Sequence, residues 1–123
     1  MLSFRTMTDV AQARIPPPLR ELVSRLVRGY HATHGDRYDP EADGYVLLFE
    51  PGSTDDQARS VFGHTWADAP VEGVSYNKEY KVFLAIVMLN NQLAHTVIVP
   101  DQPWLPADFR SHLLENLCGE GPP

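Results

Sequence analysis

The chain lacks the features that mark exported or membrane proteins. It contains one cysteine, Cys118, which excludes an internal disulfide and suits a reducing compartment. Its longest apolar run, Val82–Leu89, is much shorter than a membrane-spanning helix. The segment 1–14 is too polar to be the apolar region of a secretion signal. From these absences we expect a cytoplasmic protein that does not bind membranes.

Motifs that would mark an enzyme are also missing. The sequence has no glycine-rich phosphate loop, no nucleophile elbow and no paired-cysteine zinc motif. Cys118 has no base beside it in the sequence, so a small packing residue is the better interpretation than a nucleophile. We therefore predict no cofactor and no catalytic residue. A non-enzymatic binding or interaction module, such as an accessory, inhibitor or immunity-type protein, is the favoured interpretation.

Positive charge is scarce and unevenly placed. The net charge of −6 argues against nucleic-acid binding. Residues 1–35 carry five arginines against Asp9 and Glu21, a net +3, whereas residues 36–123 carry a net −9. Such an acidic surface is either merely solvated or meets a basic protein partner. The acids predicted to contact a basic partner are Asp36, Asp39, Glu41, Asp43, Asp55 and Asp56.

What is present is the composition of a folded globular protein, 43% hydrophobic and 21% charged. A chain of 123 residues is long enough for one core. We expect a single α+β domain over residues 1–123. Within it, residues 1–15 form a loosely ordered arm that ends at three prolines, and residues 119–123 form a frayed tail.

Periodicity predicts the elements of that domain. Apolar residues recur at helical spacing from Leu19 to Tyr30, and Gly35 follows as a terminator. Thr54 and Gln57 form a capping box ahead of a short helix. The other elements are strands at 45–49, 71–76, 80–89 and 93–99 and a helix at 106–118. This order predicts an antiparallel sheet of about four strands, a meander with a long C-terminal hairpin, packed with the N- and C-terminal helices on one face.

The hairpin Lys81–Val99 is apolar on both faces, so both faces need cover. We predict that Asn90–Asn91 is a two-residue turn, which places Ile86 opposite His95. One face then meets the helices, and a second copy of the chain covers the other in a homodimer. The alternative is cover by the N-terminal arm or by the loop around Trp66. The predicted dimer face consists of Phe83, Ala85, Val87, Ala94, Thr96 and Ile98.

The segment Asp39–Glu50 nearly fits the calcium-loop pattern, with Asp39, Asp43 and Glu50 at positions one, five and twelve. Over these twelve residues it resembles the loop of the EF-hand family. The resemblance implies calcium ligation by those three carboxylates. Two positions depart from the pattern, because Glu41 replaces a shorter acid and Leu47 carries no oxygen. The alternative is a solvated acidic turn that leads into a core strand.

His31, His34 and Asp36 form a second candidate metal site. Residues three apart on a helix are neighbours, so both imidazoles can reach one ion, with Asp36 as a third ligand. This set carries the alternative function of a metal-binding protein or metal-dependent hydrolase. The other interpretation places both histidines in the last helical turn, where a cationic imidazole favours the helix dipole.

Three further residues have two interpretations each. His95 is either a satisfied, semi-buried side chain or a base at the mouth of a small-molecule pocket between helices and sheet. Trp66 and Trp104 either pin their loops to the core or, where exposed, mark a binding anchor.

Overall fold

The computed structural model describes residues 1–89 and 93–122, which form one sheet and five α-helices. The strands are β1 (Leu2–Phe4), β2 (Val46–Leu48), β3 (Val71–Asn77), β4 (Val82–Leu89) and β5 (Leu93–Pro100). The helices are α1 (Met7–Gln12), α2 (Pro17–His34), α3 (Pro40–Asp43), α4 (Asp55–Phe62) and α5 (Ala107–Glu115), with 3₁₀ turns at Gly35–Arg37 and Trp66–Asp68.

The α+β class is confirmed, but the sheet differs from the prediction in size and direction. It has five strands in the order β1-β2-β5-β4-β3 rather than about four. The β3-β4-β5 meander is antiparallel as predicted, whereas β2 lies parallel to β5. After β2 the chain continues to the far edge of the sheet, where it forms β3. It then returns through β4 to β5, which lies next to β2.

The fifth strand comes from the segment expected to be a loosely ordered arm. Residues Leu2–Phe4 pair antiparallel with β2, and α1 follows behind a capping box formed by Thr6 and Asp9. Phe4 and Val10 are almost completely buried. Two buried apolar side chains and one strand pairing are enough to order this segment. They are too few to give the sequence a recognisable helical or strand periodicity.

The register of the long hairpin differs from the prediction by one residue. Val87, not Ile86, lies opposite His95, and Leu89 pairs with Leu93. The predicted two-residue turn at Asn90–Asn91 lies outside the described residues. Because side chains alternate along a strand, a shift of one residue moves every β5 side chain to the other face of the sheet. His95 therefore shares a face with Phe83, Ala85 and Val87.

Helices of the same chain cover both faces of the sheet. On one face, α4, α5 and the Trp66 turn enclose a core in which six of sixteen buried residues are aromatic; we call it the aromatic core. On the other face, α1 and α2 enclose a smaller core whose buried side chains are aliphatic except for Phe4; we call it the aliphatic core. The prediction that the N- and C-terminal helices share one face is therefore wrong, because two apolar faces require two layers of cover.

The best-patterned helices are confirmed. Helix α2 buries Leu22, Val23 and Val27 and ends at Gly35. Helix α4 begins with the predicted capping box of Thr54 and Gln57 and ends at Gly63 in the left-handed conformation. No helix of residues 1–89 and 93–122 combines the length and the apolar character that crossing a membrane requires.

Gly44 joins α3 to β2 at a point where no side chain fits. Its φ is +86°, and a Cβ at this position would collide with the carbonyl oxygen of Ala94. The close approach holds α3 against the start of β5 and places Tyr45 beside His95. One glycine therefore positions the candidate site.

Candidate functional site

A polar pocket of about 240 Å³ lies where the short acidic helices α3 and α4 meet. Pro40 and Glu41 of α3 and Ser60 and Val61 of α4 form its walls. Tyr45 and His95 complete the lining. We call this cavity the His95 pocket.

His95 is held on one side by the backbone and left open on the other. Its side chain is 2% exposed, and its Nδ1 accepts a hydrogen bond from the Tyr45 N–H at 3.1 Å. The rings of Tyr45 and Phe62 pack edge-on against it at centroid distances of 4.2 and 5.7 Å. Burial lowers the pKa of His95 to about 4.

These contacts determine which ring nitrogen of His95 carries the proton. At neutral pH the imidazole of His95 is uncharged, and Nδ1 is an acceptor, so Nε2 carries the hydrogen. His95 thus presents a hydrogen-bond donor to the pocket. A general base needs a free basic nitrogen, and that nitrogen is occupied by the Tyr45 N–H, so the geometry does not fit the interpretation of His95 as a base.

Arg5 contacts two residues that line this pocket, Glu41 and Tyr45. The Arg5 Nε donates to Glu41 Oε1 at 3.1 Å, and the guanidinium lies 4.1 Å from the centroid of the Tyr45 ring. The opposite charges cancel locally, so the pocket itself has no strong net charge. Arg5 and Glu41 are far apart in the sequence, and no motif in the chain links them.

The acids predicted to meet a partner fall into two groups. Glu41 and Asp56 have side chains 73% and 92% exposed. Asp56 lies one helical turn before Ser60, so α4 presents it beside the pocket. Asp36 is exposed in the 3₁₀ turn after α2.

The other three acids have structural roles. An Asp39 oxygen accepts from the Glu41 N–H at 3.1 Å, and an Asp43 oxygen accepts from the Asp39 N–H at 2.9 Å. An Asp55 oxygen accepts from the Trp66 N–H at 3.2 Å. Backbone donors fix these three carboxylates in place.

The histidine metal site predicted from the sequence is not assembled. His31 Nε2 lies 3.1 Å from the carbonyl oxygen of Arg5, and His34 Nδ1 lies 3.7 Å from Asp43 Oδ2. The ring of Tyr38 packs against both imidazoles, at centroid distances of 4.6 and 5.8 Å. Across residues 1–89 and 93–122, no three histidine, cysteine or acidic side chains converge on a possible metal position. His31, His34 and Asp36 instead close the C-terminal end of α2.

The calcium loop implied by the EF-hand resemblance is not formed either. Asp39 and Asp43 stand at the two ends of α3, and strand β2 separates them from Glu50. Glu50 pairs with the N-terminal amine of Met1 at 3.0 Å. An EF-hand loop is followed by a helix, whereas this segment continues as a strand of the central sheet.

The predicted dimer face does not form one surface. Phe83, Ala85 and Val87 face the aromatic core, while Ala94, Thr96 and Ile98 point to the opposite side because of the changed register. Five of the six are buried within the single chain, and Ala94 is half-buried. Within residues 82–88 of β4, the half-exposed side chains are Leu84, Ile86 and Met88.

The two tryptophans have different roles. Trp66 is 3% exposed in the aromatic core, where its indole N–H donates to the carbonyl oxygen of Thr54 at 2.9 Å. Trp104 is 39% exposed and stacks on Phe49, with ring centroids 6.0 Å apart. It borders a mostly apolar cavity of about 490 Å³ at the other end of the sheet. Trp104 thus has the exposure of a binding anchor, and Trp66 has the burial of a core residue.

No known protein-family model, curated protein or solved structure significantly matches this chain. The interpretation of the site therefore depends on its geometry alone. Sequence reasoning found Glu41 and His95 but missed Arg5, Tyr45 and Ser60. Arg5 belongs to the segment predicted to be a loosely ordered arm, Tyr45 belongs to a predicted strand, and a serine on a short helix carries no signal.

Proposed function

We propose that this protein is a non-enzymatic binding module that meets a basic protein partner through α3 and α4. The observation that carries the proposal is the placement of the acids. Two acidic helices, separated in the sequence by β2, flank one pocket and expose Glu41 and Asp56 beside it. Clustered acids of this kind favour encounter with a positive surface and set its orientation more than they set affinity.

The ion pairs at this surface support exchange with a partner. Arg5–Glu41 and Arg59–Asp56 are both solvent-exposed, and such pairs contribute about 1 kcal/mol or less. A partner cation can therefore replace Arg5 or Arg59 at little cost. Asp39 and Asp43 stay fixed by backbone donors and maintain a negative field around α3.

A non-enzymatic role is supported by what the histidines do. The basic nitrogen of His95 is occupied, and His31 and His34 contact a carbonyl group and a carboxylate separately. This arrangement favours recognition over acid–base or metal chemistry. An accessory or inhibitor-type protein fits such a surface.

Decalysine titration followed by amide NMR shifts tests the acidic surface. We expect saturable shifts centred on α3 and α4 that weaken as salt is added, because exposed charges are screened. The pair of substitutions Glu41→Gln and Asp56→Asn should weaken binding about fivefold more than the control pair.

The control pair, Glu72→Gln and Glu115→Gln, removes the same charge from exposed positions elsewhere on the molecule. If both pairs weaken binding equally, or if the shifts spread over all acidic side chains, the acids act only through net charge. The proposal would then be wrong.

A homodimer is a second element of the proposed function, favoured by the half-covered side of the hairpin. Among the described residues, Ile86 and Met88 are half-buried but belong to neither core. They point to the same side of the sheet as Thr96 and Ile98, which is the side of α2 and the aliphatic core. A second copy that stacks the same patch on itself would complete the cover.

Sedimentation velocity at high micromolar concentration tests this element. We expect a dimer that Ile86→Asp converts to a monomer and that Leu114→Asp, at an exposed position of α5, leaves intact. A wild-type monomer would contradict the homodimer and leave the acidic surface as the only proposed interface.

A further inference from the structure

His95 is a buried residue whose second ring nitrogen, Nε2, has no acceptor among the described residues. His95 is 2% exposed, and its only hydrogen bond among the described residues uses Nδ1. Every fully buried side-chain nitrogen or oxygen of those residues has a partner, so Nε2 must open into the cavity. A ligand acceptor in the pocket can therefore replace water at Nε2, while the rest of the ring stays excluded from solvent.

The groups around Nε2 determine which acceptor suits the pocket. Ser60 and Glu41 on the opposing walls offer oxygen acceptors, and the Glu41 charge is balanced by Arg5. A carboxylate ligand would satisfy Nε2 but would bring a second negative charge beside Glu41. An ammonium ligand would satisfy Glu41 but has no acceptor for Nε2.

We propose that the His95 pocket is a binding site for the primary amide group of a small molecule. The amide carbonyl oxygen accepts from His95 Nε2, and the amide NH₂ donates to the oxygens of Ser60 and Glu41. Pro40 and Val61 contact the apolar atoms next to the amide. A cavity of about 240 Å³ holds an amide with a few further atoms. This inference does not depend on the proposed partner surface.

Three probes of similar size separate the possible ligand chemistries: acetamide, acetate and methylammonium. We expect acetamide to shift the signals of His95, Tyr45 and Ser60 in a saturable way, with at least about tenfold higher affinity than the charged probes. Equal or tighter binding of acetate would show an anion site instead. Either that result or non-saturable shifts with acetamide would overturn the proposal.

A matched pair of variants ties the binding to this cavity. Ser60 is exposed on α4, so Ser60→Leu fills the pocket mouth without entering the core. Ser111→Leu makes the same change at an exposed position of α5. Acetamide binding should be lost in Ser60→Leu and unchanged in Ser111→Leu. If Ser60→Leu still binds acetamide with the wild-type affinity, the ligand lies elsewhere and the proposal fails.

Discussion

The two faces of the sheet treat buried polar groups differently, as His95 and Thr96 show. These neighbours on β5 point to opposite faces. On the aliphatic side, the Thr96 hydroxyl meets the Tyr30 hydroxyl at 3.0 Å, and Tyr30 also donates to the carbonyl oxygen of Ala94 at 2.6 Å. On the aromatic side, His95 has one nitrogen bonded to Tyr45 and the other open to a cavity. Both side chains border a cavity, but Thr96 is hydrogen-bonded within the chain, whereas Nε2 of His95 has no partner among the described residues.

The difference follows from the side chains available to each layer. On the aromatic side, large rings pack around Trp66 and Phe49 with centroid distances near 5 Å, but smaller side chains, among them Pro40, Ser60 and Val61, line the pocket beside His95. On the aliphatic side, the long helix α2 supplies Tyr30, whose hydroxyl reaches Thr96. The Thr96 hydroxyl is satisfied within the chain, whereas the unpartnered Nε2 of His95 is available to a ligand.

Phe49→Ala should produce the largest effect. Phe49 is 2% exposed and contacts Trp66, Trp104 and Phe109. We expect a loss of about 4 kcal/mol in the free energy of unfolding, measured by urea denaturation. Leu22→Ala, a comparable truncation in the aliphatic core, should cost about 3 kcal/mol. If Leu22→Ala is the more damaging change, the aromatic core is not the principal source of stability.

The next largest effect should be the pH dependence of the free energy of unfolding, which arises on the aromatic side of the sheet, where His95 is buried. The folded-state pKa of His95, about 4, lies below the usual 6.5, so the unfolded chain binds its proton more readily. His95 therefore makes its full contribution to the free energy of unfolding above pH 6.5. As the pH falls toward 4, up to about 3 kcal/mol of that contribution is lost.

The variant His95→Phe isolates this contribution from that of the carboxylates. It keeps a ring against Tyr45 and Phe62 but removes the titrating group, at the expense of the Tyr45 N–H partner. Between pH 7 and pH 4, its free energy of unfolding should fall less than that of the wild type. Parallel pH profiles would mean that His95 is not held neutral by burial.

A smaller effect should come from Gly44, which attaches the pocket to the sheet. In Gly44→Ala, the new side chain is strained by the positive φ and also collides with the Ala94 carbonyl. In Gly52→Ala, φ is also positive, at +88°, but no atom lies near the new Cβ. We expect Gly44→Ala to cost about 2 kcal/mol more than Gly52→Ala in thermal or urea unfolding. Equal costs would show that the close approach of α3 to β5 is not needed.

The sequence predicts local structure better than it predicts how the elements assemble. The apolar stripe of α2 and the capping box at Thr54 are local patterns, and both helices are present. The hairpin register depends on turn length, which Asn90–Asn91 does not determine, and one residue of shift exchanged the faces of β5. The parallel pairing of β2 with β5 has no local signal at all.

The candidate site was predictable only in part for the same reason. His95 and Glu41 stand out by residue type, so sequence analysis finds them individually. Their meeting with Arg5, Tyr45 and Ser60 depends on β1, β5 and the crossing of α4 over the sheet. The His95–Tyr45 hydrogen bond joins residues 50 positions apart, a separation that no motif spans.

The most direct test is to determine the protonation of His95 by long-range ¹H–¹⁵N NMR correlation at pH 7. The structure predicts a neutral ring with the proton on Nε2 and an unprotonated Nδ1 that accepts from Tyr45. That result would establish the donor that faces the pocket. A proton on Nδ1, or a charged imidazolium at pH 7, would contradict both the hydrogen bond and the amide site built on it.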